Sequence, residues 1–225
     1  MILVFDLDDT LYPEITYVKS GFNEVSIFLN EDFGLDKNHT YLKMLDLLKE
    51  NGRGKIFNKI LEVNGILTKK NLRKCISVYR RHYPAISLYK DAQRCICRFK
   101  DSKKYIVTDG NIIVQRNKVS ALRLAEHFEK IIPTYQYGKS FSKPSVKCFQ
   151  KILNYEKINS SKMLYIGDNP YKDFINIKKL GIKTIRVKRG AYRKVVLDKS
   201  YEADYTVKNL DEIPKKMLTR INENR

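Results

Sequence analysis

Four apolar residues, Ile2 to Phe5, run directly into Asp6, Asp8 and Asp9, and this junction restricts the possible folds more than any other stretch of the chain. A short β-branched and aromatic run without polar alternation predicts a strand buried on both faces, as in a parallel sheet covered by helices. The acids then fall at the carboxyl end of that strand, where open α/β sheets bind their ligands. A lone Asp at such a place needs no more explanation than a turn or a helix cap. Two carboxylates at i and i+2 beside a third repel one another unless a cation or a shared proton offsets the charge.

Downstream the pattern changes twice. From Glu14 to Pro84 the apolar residues recur at helical spacing (Val18, Phe22, Val25, Leu29, then Leu42, Leu45, Leu48, then Ile56, Ile60, Leu61, Val63, then Leu72, Cys75, Ile76, Tyr79). Breaks are expected at Asp32-Phe-Gly, Asn51-Gly-Arg-Gly and Asn64-Gly, and Thr68 is an expected N-cap. Beyond Pro84 strands and helices alternate. Strands are expected at Lys104–Thr108, Ile131–Ile132, Met163–Gly167, Lys183–Val187 and Ala203–Val207, and helices at Asp91–Lys100, Asn117–Phe128, Ser145–Tyr155, Pro170–Leu180 and Leu210–Asn222. Such alternation implies an α/β fold with a central parallel sheet flanked by helices. Its core is residues 1–13 and 85–225, and residues 14–84 form an all-α lobe inserted after the first strand.

Length and composition fit this reading: 225 residues with 43% hydrophobic content can bury one core plus a lobe. No apolar run is long enough to span a bilayer, and Asp6 interrupts the first run too early for a signal peptide, so a cytoplasmic protein is expected. Cys75, Cys95, Cys97 and Cys148 have neither paired nor Cys-x-x-Cys spacing and are expected to be free thiols. The formal charge of +19 is spread along the chain in pairs such as Lys69-Lys70 and Arg80-Arg81, with no basic arm and no nucleic-acid-binding signature. A solvated basic surface is expected rather than specific nucleic-acid binding, although its summed field draws in small anions.

Three other strand ends carry polar residues of a matching kind. Thr108-Asp109-Gly110 supplies a hydroxyl and a glycine-softened turn whose N–H groups suit an anion. Ser142-Lys143-Pro144 puts a lysine just before an expected helix start, and Gly167-Asp168 begins a loop that ends at Asp173. Each alone is an ordinary turn or loop. In this order and at these strand ends, they closely resemble the four motifs of the haloacid dehalogenase superfamily, most of whose members are magnesium-dependent phosphohydrolases. Asp6-Leu-Asp-Asp-Thr-Leu-Tyr12 is similar to the first motif, Thr108 to the second, Lys143 to the third, and Gly167-Asp168 with Asp173 to the fourth. The inserted helices resemble that superfamily's helical cap, and Gln115 to Phe128 resembles the core helix of the same subgroup.

The resemblance implies a Rossmann-like core and a phosphatase acting on a small phosphorylated metabolite, a nucleotide or a sugar phosphate, as monomer or homodimer and without a membrane. Asp6 would be the nucleophile and Asp8 the general acid and base, while Asp9 orders the loop. Thr108, Asp109 and Lys143 would bind phosphate, Asp109 more safely through its backbone. Mg²⁺ would be held by Asp6, the backbone carbonyl of Asp8 and Asp168, with Asp173 behind them or acting through water. Asp8 argues against dehalogenation, since the dehalogenases proper lack that acid. A phosphomutase, or a basic binding protein on the same scaffold, stays open as an alternative.

Overall fold

The computed structural model describes residues 1–214. They form two compact units: Met1–Glu14, Ser87–Gln115 and the chain from Leu122 onward make up the first, Ile15–Ile86 with Arg116–Ala121 the second.

The first unit is built on a six-stranded sheet. Its strands are β1 (Ile2–Phe5), β2 (Lys104–Thr108), β3 (Lys130–Pro133), β4 (Met163–Gly167), β5 (Lys183–Val187) and β6 (Tyr205–Val207), in the order β3-β2-β1-β4-β5-β6 and all parallel. β1 lies inside the sheet, with Leu3 facing Lys104 on one side and Leu164 on the other. All four of its residues are buried, as expected for a strand with both faces covered. Ile2 and Val4 join one apolar cluster with Tyr105, Val107 and Tyr165, closed by Phe149 and Ile152 of α7 (Lys147–Glu156) and by Phe174 and Ile177 at α8 (Ile175–Lys179). On alternate positions Phe5 meets Phe128 edge-on at 5.9 Å. Ahead of β2, α5 (Lys90–Arg98) buries Ala92, Cys95 and Ile96.

Two helices differ from the expectation. The helix expected at Asn117–Phe128 is α6 (Ile112–Ala121), because the Asn111 side chain caps it by accepting from the N–H groups of Ile113 (3.0 Å) and Val114 (3.4 Å). It stops short of the left-handed Arg123, φ 51°. The helix expected over Pro170–Leu180 shrinks to α8, since residues 169–173 form a closed turn: the Asp173 N–H donates to the Asn169 carbonyl, and the Asn169 N–H donates back to the Asp173 carboxylate at 2.9 Å. At the end of the described residues, Leu210–Glu212 is a single 3₁₀ turn, and most of the helix expected over Leu210–Asn222 lies outside them.

The second unit holds α1 (Glu14–Phe33, its first residue counted with the sheet), α2 (Lys37–Asn51), α3 (Ile56–Val63) and α4 (Lys69–Arg81). Val18, Phe22, Val25 and Leu29 of α1 pack with Met44, Leu47, Ile56, Ile60, Leu61 and Cys75, the helical periodicity of the sequence turned into one core. Asp36 and Thr68 cap α2 and α4 by accepting from His39 N–H and Asn71 N–H. Gly21 is fixed by packing, as a Cβ there would meet the Tyr79 ring at 2.5 Å.

Candidate active site

The parallel sheet brings the carboxyl ends of β1, β2 and β4 together, and the polar residues there converge. Asp6 is 5% exposed; its Oδ1 accepts from Lys143 Nζ at 2.5 Å and its Oδ2 from the Thr10 hydroxyl at 3.3 Å. Lys143, also buried, reaches Asp173 Oδ1 at 2.8 Å and the Tyr165 hydroxyl at 3.0 Å. Tyr165 in turn donates to Asp173 Oδ1 at 3.0 Å. Asp173 is pressed against Gly167, where a Cβ would lie 2.5 Å from its Oδ2, so the end of β4 has room for the carboxylate only because residue 167 is glycine.

Asp6, Asp168 and Asp173 are all buried and offer carboxylate oxygens within 4.8 Å of one another. Burial pushes the Asp6 carboxyl above its ordinary range, with Lys143 pulling it down and Asp173 pushing it further up. Burial raises Asp168 likewise, reinforced by Asp173, Asp6 and Asp9. The donor set fits a hard divalent cation: all oxygen, and carrying unfavourable charge that such an ion would offset. Lys143 keeps its proton against the cost of burial because Asp173 and Asp6 flank it.

The remaining residues named from the sequence divide by what they touch. The Asp8 side chain stands outside that carboxylate group, its Oδ1 accepting from the Tyr12 hydroxyl and its Oδ2 from Gln115 Nε2. Asp9 sits at φ 52° and ties the loop, one oxygen accepting from Glu14 N–H and the other from Ala191 N–H. Thr108 is fully buried, and its hydroxyl has no hydrogen-bond partner among the described residues. The Asp109 carboxylate is engaged inside the protein: Oδ1 accepts from the Thr134 hydroxyl and Lys143 N–H, Oδ2 from Lys172 Nζ at 2.9 Å. Burial opposes its charge, but Lys143 and Lys172 outweigh that and hold its carboxyl below the usual range.

Sequence reasoning gave no role to Tyr165, Lys172 or Arg186. Tyr165 counts as one apolar residue in a buried strand until its hydroxyl is seen between Lys143 and Asp173. Arg186, on β5, is wholly buried; it grips Glu202 with two bonds of 2.7 Å, the carbonyls of Tyr192 and Val195, and the carbonyl of Asp168 at 3.3 Å. It thereby ties the backbone of a candidate metal ligand to the loop after β5. A lone Arg in an apolar strand was the available signal.

The sequence profile of the haloacid dehalogenase-like hydrolases matches residues 3–187, a span that includes every one of these residues except Glu202, Tyr192, Val195 and Ala191. The chain belongs to that family. Among relatives, the glyceraldehyde 3-phosphate phosphatase of Methanocaldococcus jannaschii is 28% identical over 226 residues, covering 94% of each chain. Among solved structures, a 2-haloacid dehalogenase from Pseudomonas syringae superposes with a TM-score of 0.67 at 20% identity, over 97% of this chain and 98% of the other. A haloacid dehalogenase-type phosphatase from Thermococcus onnurineus gives 0.62 at 20% identity, over 96% and 97%. These two share the Rossmann-like fold. Consistent with the family's α/β core, no helix among the described residues is long and apolar enough to cross a membrane.

Proposed function

We infer that the protein is a Mg²⁺-dependent phosphatase of a small phosphomonoester, with a phosphorylated sugar of the size named for its archaeal relative as the first substrate to test. The observation that carries this reading is the convergence of Asp6, Asp168 and Asp173 beside Lys143 at the ends of β1 and β4, in a chain of this family.

Asp6 attacks phosphorus in line with the leaving oxygen; the P–O bond to that oxygen breaks and an aspartyl phosphate forms. Asp8 gives the departing oxygen its proton, then takes one from the water that hydrolyses the acyl phosphate, so phosphate leaves and Asp6 is restored. The Thr108 hydroxyl donates to a non-bridging oxygen, Lys143 offsets charge on the transferring group, and Asp109 contributes through its backbone while its carboxylate anchors Lys172 and Thr134. Mg²⁺ would be held by Asp6, the Asp8 carbonyl and Asp168 with Asp173 behind them, and would supply positive charge that offsets the repulsion between a carboxylate and a phosphate dianion.

Inorganic phosphate released from p-nitrophenyl phosphate and from glyceraldehyde 3-phosphate, with Mg²⁺ and after chelation, is the test. Turnover that depends on Mg²⁺, is lost in Asp6→Asn and is slowed but still measurable in Asp8→Asn is expected; full activity in Asp6→Asn would refute the assignment.

A further inference from the structure

Gln115 is buried in the first turn of α6, and its amide spends both N–H donors on the site. Nε2 donates to the Asp109 carbonyl at 2.6 Å and to Asp8 Oδ2 at 3.3 Å. Both partners are acceptors, which fixes the amide orientation and leaves Oε1 buried with no partner among the described residues. A buried polar atom left unpaired is unfavourable, so the position is not one that packing alone would give to glutamine. Gly110 lies directly against the amide: its φ is +130°, and a Cβ there would fall 2.6 Å from Nε2. On the other side of the same carboxylate, the Tyr12 hydroxyl donates to Asp8 Oδ1 at 2.5 Å, from a ring that is itself fully buried.

We propose that Gln115 and Tyr12 are positioning residues that clamp the Asp8 carboxylate from both sides, aiming it at the leaving oxygen, and that Gln115 also fixes the loop after β2 by its bond to Asp109. The inference rests on the phosphatase reading and deepens it. Each residue acts through Asp8, and the effect of its loss must therefore follow how much the leaving group needs a proton. An alcohol leaves poorly as alkoxide and needs Asp8 in place; an acidic nitrophenol leaves with little help. Damage to the phosphate site or to the fold would instead slow both substrates alike.

The experiment compares kcat/KM, which reports steps up to phosphoryl transfer, for glyceraldehyde 3-phosphate and p-nitrophenyl phosphate in Gln115→Met, in Tyr12→Phe, and in each combined with Asp8→Asn. A loss of about 100-fold on the alkyl phosphate and under about 10-fold on the nitrophenyl ester is expected for each single variant. In the Asp8→Asn background neither variant should add a further selective loss. Equal losses on the two substrates, no loss, or additive losses without Asp8 would overturn the proposal. Tyr12→Phe removes only a hydroxyl, so it still decides the matter if Gln115→Met does not fold. Absence of turnover by the unmodified protein on both substrates would overturn the phosphatase reading itself, a result distinct from any of these.

Discussion

Thr108→Val separates a role in binding from a role in folding, because the two predict opposite signs. The hydroxyl is fully buried and has no partner among the described residues, so the folded protein bears the desolvation cost of a polar group without a compensating bond. That cost is about 1–3 kcal/mol, and an isosteric methyl removes it. The variant should thus be as stable as the parent or more so, by up to about 2 kcal/mol, which for a chain of this length raises Tm by roughly 4–8 °C. Activity should move the other way. A hydroxyl donating to a charged phosphate oxygen contributes about 1.5–3 kcal/mol, so kcat/KM should fall roughly 10- to 150-fold. Urea denaturation and steady-state kinetics on one preparation give both numbers. A destabilised variant with undiminished kcat/KM would refute the reasoning, since Thr108 would then be a packing residue with a bond of its own.

Mg²⁺ at 100 times its dissociation constant should stabilise the protein by about 2.7 kcal/mol, or roughly 5–10 °C in Tm, and Asp168→Asn should abolish that shift in a thermal melt without substrate. Glu202→Ala leaves the wholly buried Arg186 without its carboxylate, though the Tyr192 and Val195 carbonyls remain, and should cost about 3 kcal/mol in urea denaturation. Burial lowers the pKa of His82, with Glu24 and the Tyr79 carbonyl acting to raise it and Lys118 to lower it. The unfolded chain then takes up the proton first, so stability is level above pH 6.5 and declines as pH falls below it. His82→Gln should flatten that part of the stability–pH curve relative to the parent, and parallel curves would count against the assignment.

The legible part of this structure is what local chemistry dictates. Ile2–Phe5 is apolar with no alternation and became an interior strand; the α1 periodicity became the core of the helical unit; Thr68 became the cap it was expected to be. Asp6 and Asp168 could be singled out because each directly follows an apolar strand, and Asp173 through the resemblance of its loop to the family's fourth motif; parallel pairing of β1 with β4 brings the two strand ends together. What stayed hidden depends on partners distant in sequence or on one capping bond. The start of α6 turns on the Asn111 side chain, and the shortness of α8 on the carboxylate of Asp173 folding back to Asn169. The contacts of Gln115 with Asp8, of Tyr165 with Lys143 and of Arg186 with Glu202 exist only once the sheet has assembled. Asp109 shows the same limit: its place suggested a phosphate contact through the backbone, and only the assembled sheet shows its carboxylate joining Thr134 to Lys172.

The interior position of β1 also bears on how the chain reaches its fold. Its two neighbours, β2 and β4, come from far along the sequence, and loop closure must precede either pairing. Until then Ile2–Phe5 is an unpaired apolar segment of high β-propensity, the kind that recruits other chains into aggregates. Asp6, Asp8 and Asp9 follow it at once and place negative charge beside it. Acids next to an unavoidable hydrophobic strand act as gatekeepers against such association. The carboxylates assigned here to chemistry in the folded enzyme thus also protect the strand that carries them while it waits for its partners, and replacing Asp6 and Asp8 together by Asn should lower soluble yield on refolding as well as activity.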